Sequence, residues 1–211
     1  MAKNRRRKRQ FDIEDYHPTI LLVAGASGLL SFFAPVVIIP IAQEMLHFDG
    51  GILEILTPTM SYRMMMAALL WIPFVTGLYF FTRKLAEQRR VPYRGGPLMA
   101  VLVLLALPLM AFSIQHVVVL EEEGFHYNRW YEWSGTWYDW DDVNAVQPVR
   151  ESMGGVLHIT YRFQMNDGRE IVFESDDDFR RVRGYIFETV EAGGGEMLPT
   201  VDEDDYEPSN E

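Results

Sequence analysis

The chain has 211 residues, a net charge of −11 and no cysteine, which excludes disulfide frameworks, thiolate metal sites and cysteine nucleophiles. The charge is divided: Met1 to Leu120 hold 12 Lys+Arg against 7 Asp+Glu, and Glu121 to Glu211 hold 7 against 23. A half so acidic argues against nonspecific nucleic-acid binding and against attraction to anionic headgroups, and the length allows one modest domain plus a membrane anchor.

In chain order, residues 1–18 carry the cluster Arg5, Arg6, Arg7, Lys8 and Arg9. A nucleic-acid arm or a twin-arginine export signal would use similar residues, but the apolar run starts only at Thr19, after Asp12, Glu14 and Asp15. We read the cluster as a topological signal that holds a basic amino terminus in the cytoplasm.

Residues 19–120 are expected to form a region of three transmembrane helices, with spans at about 19–42, 64–82 and 98–120. In the first, Ala24 with Gly28 and Ser27 with Ser31 place small residues four apart, a spacing that lets another helix approach closely. Pro35 and Pro40 are expected to kink or end its second half, and a re-entrant turn there would invert the topology. Between Gln43 and Arg63 the charges are acidic except at the far edge, so this segment is expected outside, with Ile52, Leu53, Ile55 and Leu56 resting on the membrane as a turn of amphipathic helix. The second span is followed by Arg83, Lys84, Arg89, Arg90 and Arg94, a strong cytoplasmic signal. The methionines Met60, Met64, Met65 and Met66 suggest a copper-thioether site, but apolar packing explains them more simply. The third span, Leu98 to Leu120, is 23 uncharged residues and stops at Glu121-Glu122-Glu123. An in-out-in-out count puts everything after it on the extracytoplasmic face.

From Glu121 the apolar period changes from helical to two. Leu157, Ile159, Tyr161, Phe163 and Met165 alternate with polar residues, Asn166-Asp167-Gly168 makes a turn, and Ile171 and Phe173 resume the alternation, so a β-hairpin is expected. Ser175 and Asp178 resemble a capping box, and Phe179, Val182, Ile186 and Val190 predict an amphipathic helix from Asp176 to Ala192, ended by Gly193-Gly194-Gly195. Residues 194–211 are acidic and expected to be disordered. The aromatic run Phe125 to Trp140 reads as two strands around Ser134-Gly135. Its tryptophans serve the core of a small β domain or, for Trp130, Trp133 and Trp137, form an aromatic surface that grips a partner.

Glu122-Glu123-Gly124-Phe125 opens this domain, and Tyr138, Trp140, Asp142, Val143 and Val146 follow the pattern aromatic-x-Trp-x-Asp-aliphatic with a further aliphatic three positions on. With several strands, a long hairpin and one terminal helix, the stretch from about Val117 to Ala192 resembles the bacterial pleckstrin-homology-like domains attached to membrane spans, and residues 121–193 are read as that domain. The resemblance implies an α+β domain, a strongly bent sheet or barrel capped by the carboxyl-terminal helix. It also implies membrane-associated binding, oligomerisation or envelope-stress roles without shared enzymatic chemistry. Relatives that bind phosphoinositides use Lys or Arg in the first strand loop, whereas this chain has Glu121, Glu122 and Glu123, which argues against headgroup binding. Family members often place the domain in the cytoplasm, in tension with the outward count.

No cofactor motif and no catalytic constellation is present: His17, His47, His116, His126 and His158 are scattered, and there is no phosphate-cradling glycine loop. Asp139, Asp141 and Asp142, and Asp176 to Asp178, suggest a hard cation, but a solvated strand edge and a helix start account for them. His116 reads as an interfacial residue or a pH-sensitive group. The expected partners are the lipid bilayer and a protein, or a second copy of the chain. The expected role is a non-enzymatic integral membrane protein presenting a binding domain or, alternatively, an accessory subunit of a transporter or envelope complex.

Overall fold

The computed structural model describes residues 17–47, 51–132, 134–153 and 156–206. The expectations on Arg5, Arg6, Arg7, Lys8, Arg9 and Trp133, and on the tail beyond 206, lie outside the described residues. Helices and largely antiparallel sheets make up the fold, and three helical stretches are long and apolar enough to cross a membrane: His17–Leu46, Thr59–Gln88 and Gly96–Gln115. The chain divides into two compact units, Met1–Pro35 with Met66–Leu109, and Val36–Met65 with Met110–Glu211.

The first unit takes the amino-terminal half of α1 (His17–Leu46), most of α2 (Thr59–Gln88), α3 (Gly96–Leu104) and the start of α4 (Ala106–Gln115). Ala24, Ser27 and Ser31 are buried, and Gly28 leaves its Cβ position 3.7 Å from Cγ of Pro73 on α2. Each serine hydroxyl donates back into its own helix, Ser27 to the Ala24 carbonyl at 2.9 Å and Ser31 to Gly28 at 2.6 Å. These bonds satisfy the hydroxyls without a partner across the interface. The break between α3 and α4 falls at Leu105, where Pro108 removes the amide that would bond the Leu104 carbonyl and crowds that turn. By contrast, Pro35 and Pro40 do not end α1, which continues to Leu46.

In the second unit, β1 (Ile52–Leu56), β2 (Val118–Glu121), β3 (Gly124–Tyr127) and β4 (Thr136–Asp139) form an antiparallel sheet in chain order. A second sheet follows from β5 (Val143–Met153), β6 (Val156–Met165) and β7 (Glu170–Glu174), with the two-residue strands β8 (Glu196–Met197) and β9 (Val201–Asp202) parallel to β5. Helix α5 (Asp177–Ala192) buries Phe179, Ile186 and Val190 in the core shared with Phe125, Trp140, Phe163 and Phe173.

Several expectations are corrected here. The third apolar stretch leaves the helix at Gln115, and Val118–Glu121 is a strand; Val117, Val118 and Val119 are β-branched, and χ1 stiffness favours the extended chain. Ile52–Leu56 is not an amphipathic turn on a membrane but a strand, with Ile55 opposite Val119 and Leu56 opposite Val118. The α5 cap is Asp176, which accepts the Phe179 amide at 2.7 Å, and not Ser175. The alternation in β6 buries Tyr161, Phe163 and Met165 but leaves Leu157 68% exposed. The reason is length: β7 pairs only from Thr160 to Gln164, and the rest of the β5–β6 ribbon extends past it. Nor is the tail disordered as far as Tyr206: its ring lies 4.3 Å under the Arg162 guanidinium, which also bonds Glu170 at 2.9 Å, and Arg150 pairs with Asp202 at 3.1 Å.

Candidate functional site

The most distinctive chemical surface of the second unit is built on β3 and β4. Antiparallel register sets Phe125 opposite Tyr138 and His126 opposite Trp137. Because successive side chains alternate, one pair points in and the next out. Phe125 and Tyr138 stack in the core at 5.4 Å between ring centroids, while His126 and Trp137 meet edge-to-face at 4.8 Å on the outside. Trp137 stays 39% exposed. Its indole lies across Gly124, where a Cβ would overlap the Tyr138 carbonyl oxygen and stand 2.8 Å from Cζ2 of Trp137. Glycine is therefore required for a close approach and not for its dihedral freedom. Replacing Gly124 by alanine is expected to cost about 1–3 kcal/mol, the usual range for overpacking, read from urea denaturation, with a shift in tryptophan emission as Trp137 is displaced.

The β3–β4 connection carries a second aromatic pair, Trp130 at 48% and Tyr131 at 50% exposure, with rings 5.3 Å apart at 86°. Arg129 donates to the Tyr131 hydroxyl at 2.9 Å, and this bond holds the guanidinium pKa above its ordinary value. Trp130 and Trp137 do not stack on each other; each has its own neighbour. Trp140, three residues beyond Trp137, is 1% exposed and donates its indole N–H to the Glu121 carbonyl at 3.1 Å. The tryptophans thus divide between surface and core. β4 is the last strand of its sheet, and among the described residues its outer edge pairs with nothing.

Residues that sequence reasoning passed over tie the second unit together where α1 and α4 end and α2 begins. Gln43, fully buried, donates to the carbonyls of Ile114 at 3.0 Å and His116 at 3.2 Å and accepts the Thr57 hydroxyl at 2.5 Å. Ser61 donates to the same His116 carbonyl at 2.7 Å. The His116 ring donates from Nδ1 to the Asn128 carbonyl at 2.7 Å, and burial holds its pKa below the usual histidine value. A lone amide near the end of an otherwise apolar helix was the available signal for Gln43.

The acidic clusters are engaged in the fold. Asp139 accepts the Asp141 amide at 3.2 Å and Asp142 accepts the Asp139 amide at 3.3 Å, closing a one-turn 3-10 helix. Asp177 pairs with Arg180 at 2.5 Å, and Asp178 with Arg181. Burial raises the Asp176 and Glu54 pKa values above the usual carboxylate range. Among the described residues no group of three His, Asp or Glu side chains is arranged to hold a metal. Arg83, Lys84, Arg89 and Arg90 lie at the end of α2 and just after it, where Arg83 pairs with Glu87 at 3.1 Å. Comparison with protein-family models, with curated proteins and with solved structures finds no match to this chain.

Proposed function

We propose that this chain is a non-enzymatic multi-pass membrane protein that holds a pleckstrin-homology-like β domain outside the cytoplasm, where the β4 edge and its aromatic face bind a protein or peptide partner. The observation that carries the reading is the open edge of β4 with Trp137 exposed on its outer face. An extended segment laid along that edge gains main-chain hydrogen bonds, and the indole supplies a large apolar anchor. The domain type is supported by the order of elements: four antiparallel strands, three more, then a helix whose apolar stripe fills the core.

Connectivity supports this sidedness. β1 precedes α2, β2 follows α4, and the two strands pair, so the start of α2 and the end of α4 share one side. Arg83, Lys84, Arg89, Arg90 and Arg94 lie toward the opposite ends of these helices, which the positive-inside rule assigns to the cytoplasm. One observation also favours the accessory-subunit reading: β1 comes from between two apolar helices, so the domain is completed by a segment of the membrane region.

A photo-crosslinking residue at Thr136, on the β4 edge, is expected to give an adduct in intact cells that a probe at Leu157 does not. Trp137→Ala is expected to reduce that adduct tenfold or more, as loss of a central aromatic anchor does. Equal adducts from both positions, or indifference to Trp137→Ala, would overturn the binding surface. A reporter after Glu211 that is active only in the cytoplasm would overturn the sidedness.

A further inference from the structure

The chain's own connections fix which end of the β domain meets the apolar helices. β1 leads into α2 through Thr57 and Pro58, and α4 leads into β2 through His116 and Val117. Leu56 and Val118 stand opposite each other, so this end of the sheet lies against the start of α2 and the end of α4. Val118 also faces Tyr127, and Tyr127 faces Thr136, which brings the β3–β4 connection to the same end. Its first residue is tied there: the Asn128 amide donates to the Val117 carbonyl at 3.0 Å, and the Asn128 carbonyl accepts from Nδ1 of His116 at 2.7 Å. In the second sheet the hydroxyl of Thr59, the first residue of α2, donates to the Glu174 carboxylate, and Glu174 stands opposite Thr160. The end of β7 and the base of the overhanging β5–β6 ribbon therefore lie beside the same helix start.

Past that level the ribbon projects alone. The Ser175 amide still bonds the Ile159 carbonyl at 3.1 Å and β9 still flanks Arg150, but among the described residues 151–153 and 156–158 pair only with each other. Three residues of strand carry the tip about 10 Å beyond Ile159. Residues 152–157 hold no charge, and Val156 and Leu157 are exposed. The β3–β4 connection presents Trp130 and Tyr131, each about half exposed, and residues 128–135 include one basic and one acidic side chain. At the opposite end Glu122, Glu123, Asp141, Asp142, Asn166 and Asp167 are exposed. Their three turns are joined there by the Trp140 amide on the Glu123 carbonyl at 3.3 Å and the Asn166 amide on the Asp142 carbonyl at 2.8 Å. Aromatic and aliphatic tips at the helix end, with charge at the other, suit a body resting on a bilayer: Trp and Tyr favour the headgroup level, and uncharged apolar residues leave water just beneath it.

We propose that the β3–β4 connection and the β5–β6 tip, through Trp130, Tyr131, Val156 and Leu157, dip into the interfacial layer of the bilayer that the helices cross. The unpaired edges of the ribbon limit the depth, because their main-chain groups need water. The contact stops at the headgroup and upper acyl level, roughly 5–10 Å in. The inference rests on α2 and the α3–α4 stretch crossing a bilayer, holds for either sidedness, and is independent of what the β4 edge binds.

Because the chain has no cysteine, one introduced cysteine carries one spin label. The full chain is labelled at Leu157→Cys, Tyr131→Cys, Asp167→Cys or Leu70→Cys and reconstituted in phosphatidylcholine nanodiscs. Each label is read for collision with oxygen, which concentrates in lipid, against collision with a water-soluble nickel chelate. The oxygen-to-nickel ratio at Leu157→Cys and at Tyr131→Cys is expected to exceed that at Asp167→Cys by roughly threefold or more, and to stay below that at Leu70→Cys in the middle of α2. A ratio at either tip equal to that at Asp167→Cys, with Leu70→Cys in lipid, would overturn the proposal alone. Low collision with both agents at the tips would reveal a protein surface or a second copy over them and would overturn it as well. A water-like ratio at Leu70→Cys would overturn the crossing itself, and the proposal with it.

Discussion

A fragment that begins at Val117 is expected to remain unfolded or to aggregate, although it contains every element after the last apolar helix. The missing piece is β1. Leu56 is buried in the core, the partly buried Leu53 packs against it, and Val118 and Leu120 of the neighbouring β2 are nearly inaccessible in the same core. Removing the strand takes away about 1.5–3 kcal/mol for a buried leucine and about 1 kcal/mol for each lost main-chain bond. A domain has only about 5–15 kcal/mol in total. The bared β2 also becomes an unprotected edge, a template for aggregation. Because Leu56 faces Val118 in antiparallel register, joining residues 51–56 directly to residue 118 through an Asn-Gly turn is expected to restore folding. Amide dispersion in a ¹H–¹⁵N spectrum and elution as a monomer check both halves of the expectation. A well-dispersed spectrum from the fragment lacking β1 would show that the strand is dispensable.

Trp140→Ala is expected to cost about 3–5 kcal/mol, the range for emptying the site of a buried large aromatic. The ring packs 5.0 Å from Phe125, its backbone amide bonds the Glu123 carbonyl at 3.3 Å, and its indole N–H is satisfied by Glu121. The loss therefore combines apolar burial with an orphaned carbonyl. Trp130→Ala and Trp137→Ala, at exposed positions, are expected to stay within about 1 kcal/mol. Chemical denaturation of the three variants in one buffer makes the comparison. Equal costs for all three would contradict the division between core and surface tryptophans.

How much of this was legible beforehand varied with how local the deciding interactions are. Helix α5 could be read because Phe179, Ile186 and Val190 repeat at helical spacing and all face one core. The β6–β7 hairpin could be read from alternation and from Asn166-Asp167-Gly168, with Gly168 at φ 83° where positive dihedrals favour glycine. β1 could not, because its partner lies beyond two apolar helices and its burial does not alternate. Likewise, hydropathy alone cannot distinguish Val117 to Leu120 from the end of a membrane helix, since a strand buried on both faces is equally apolar. For the candidate surface, composition named the tryptophans, but only the register of β3 against β4 separates Trp137 from Trp140.

The pairing of β1 with β2 also sets an order of events during synthesis. β1 leaves the ribosome before α2, α3 and α4, and at about 5–20 residues per second it waits several seconds for its partner. For a chain whose apolar helices cross a bilayer, β2 reaches β1 when α2 and the α3–α4 stretch have both been inserted, in opposite directions. A chain that leaves one of them uninserted strands the two halves of the sheet on different sides of the membrane. Completion of this sheet therefore depends on the two stretches crossing as a pair, and a chain in which only one crosses keeps β2 as an unprotected apolar edge.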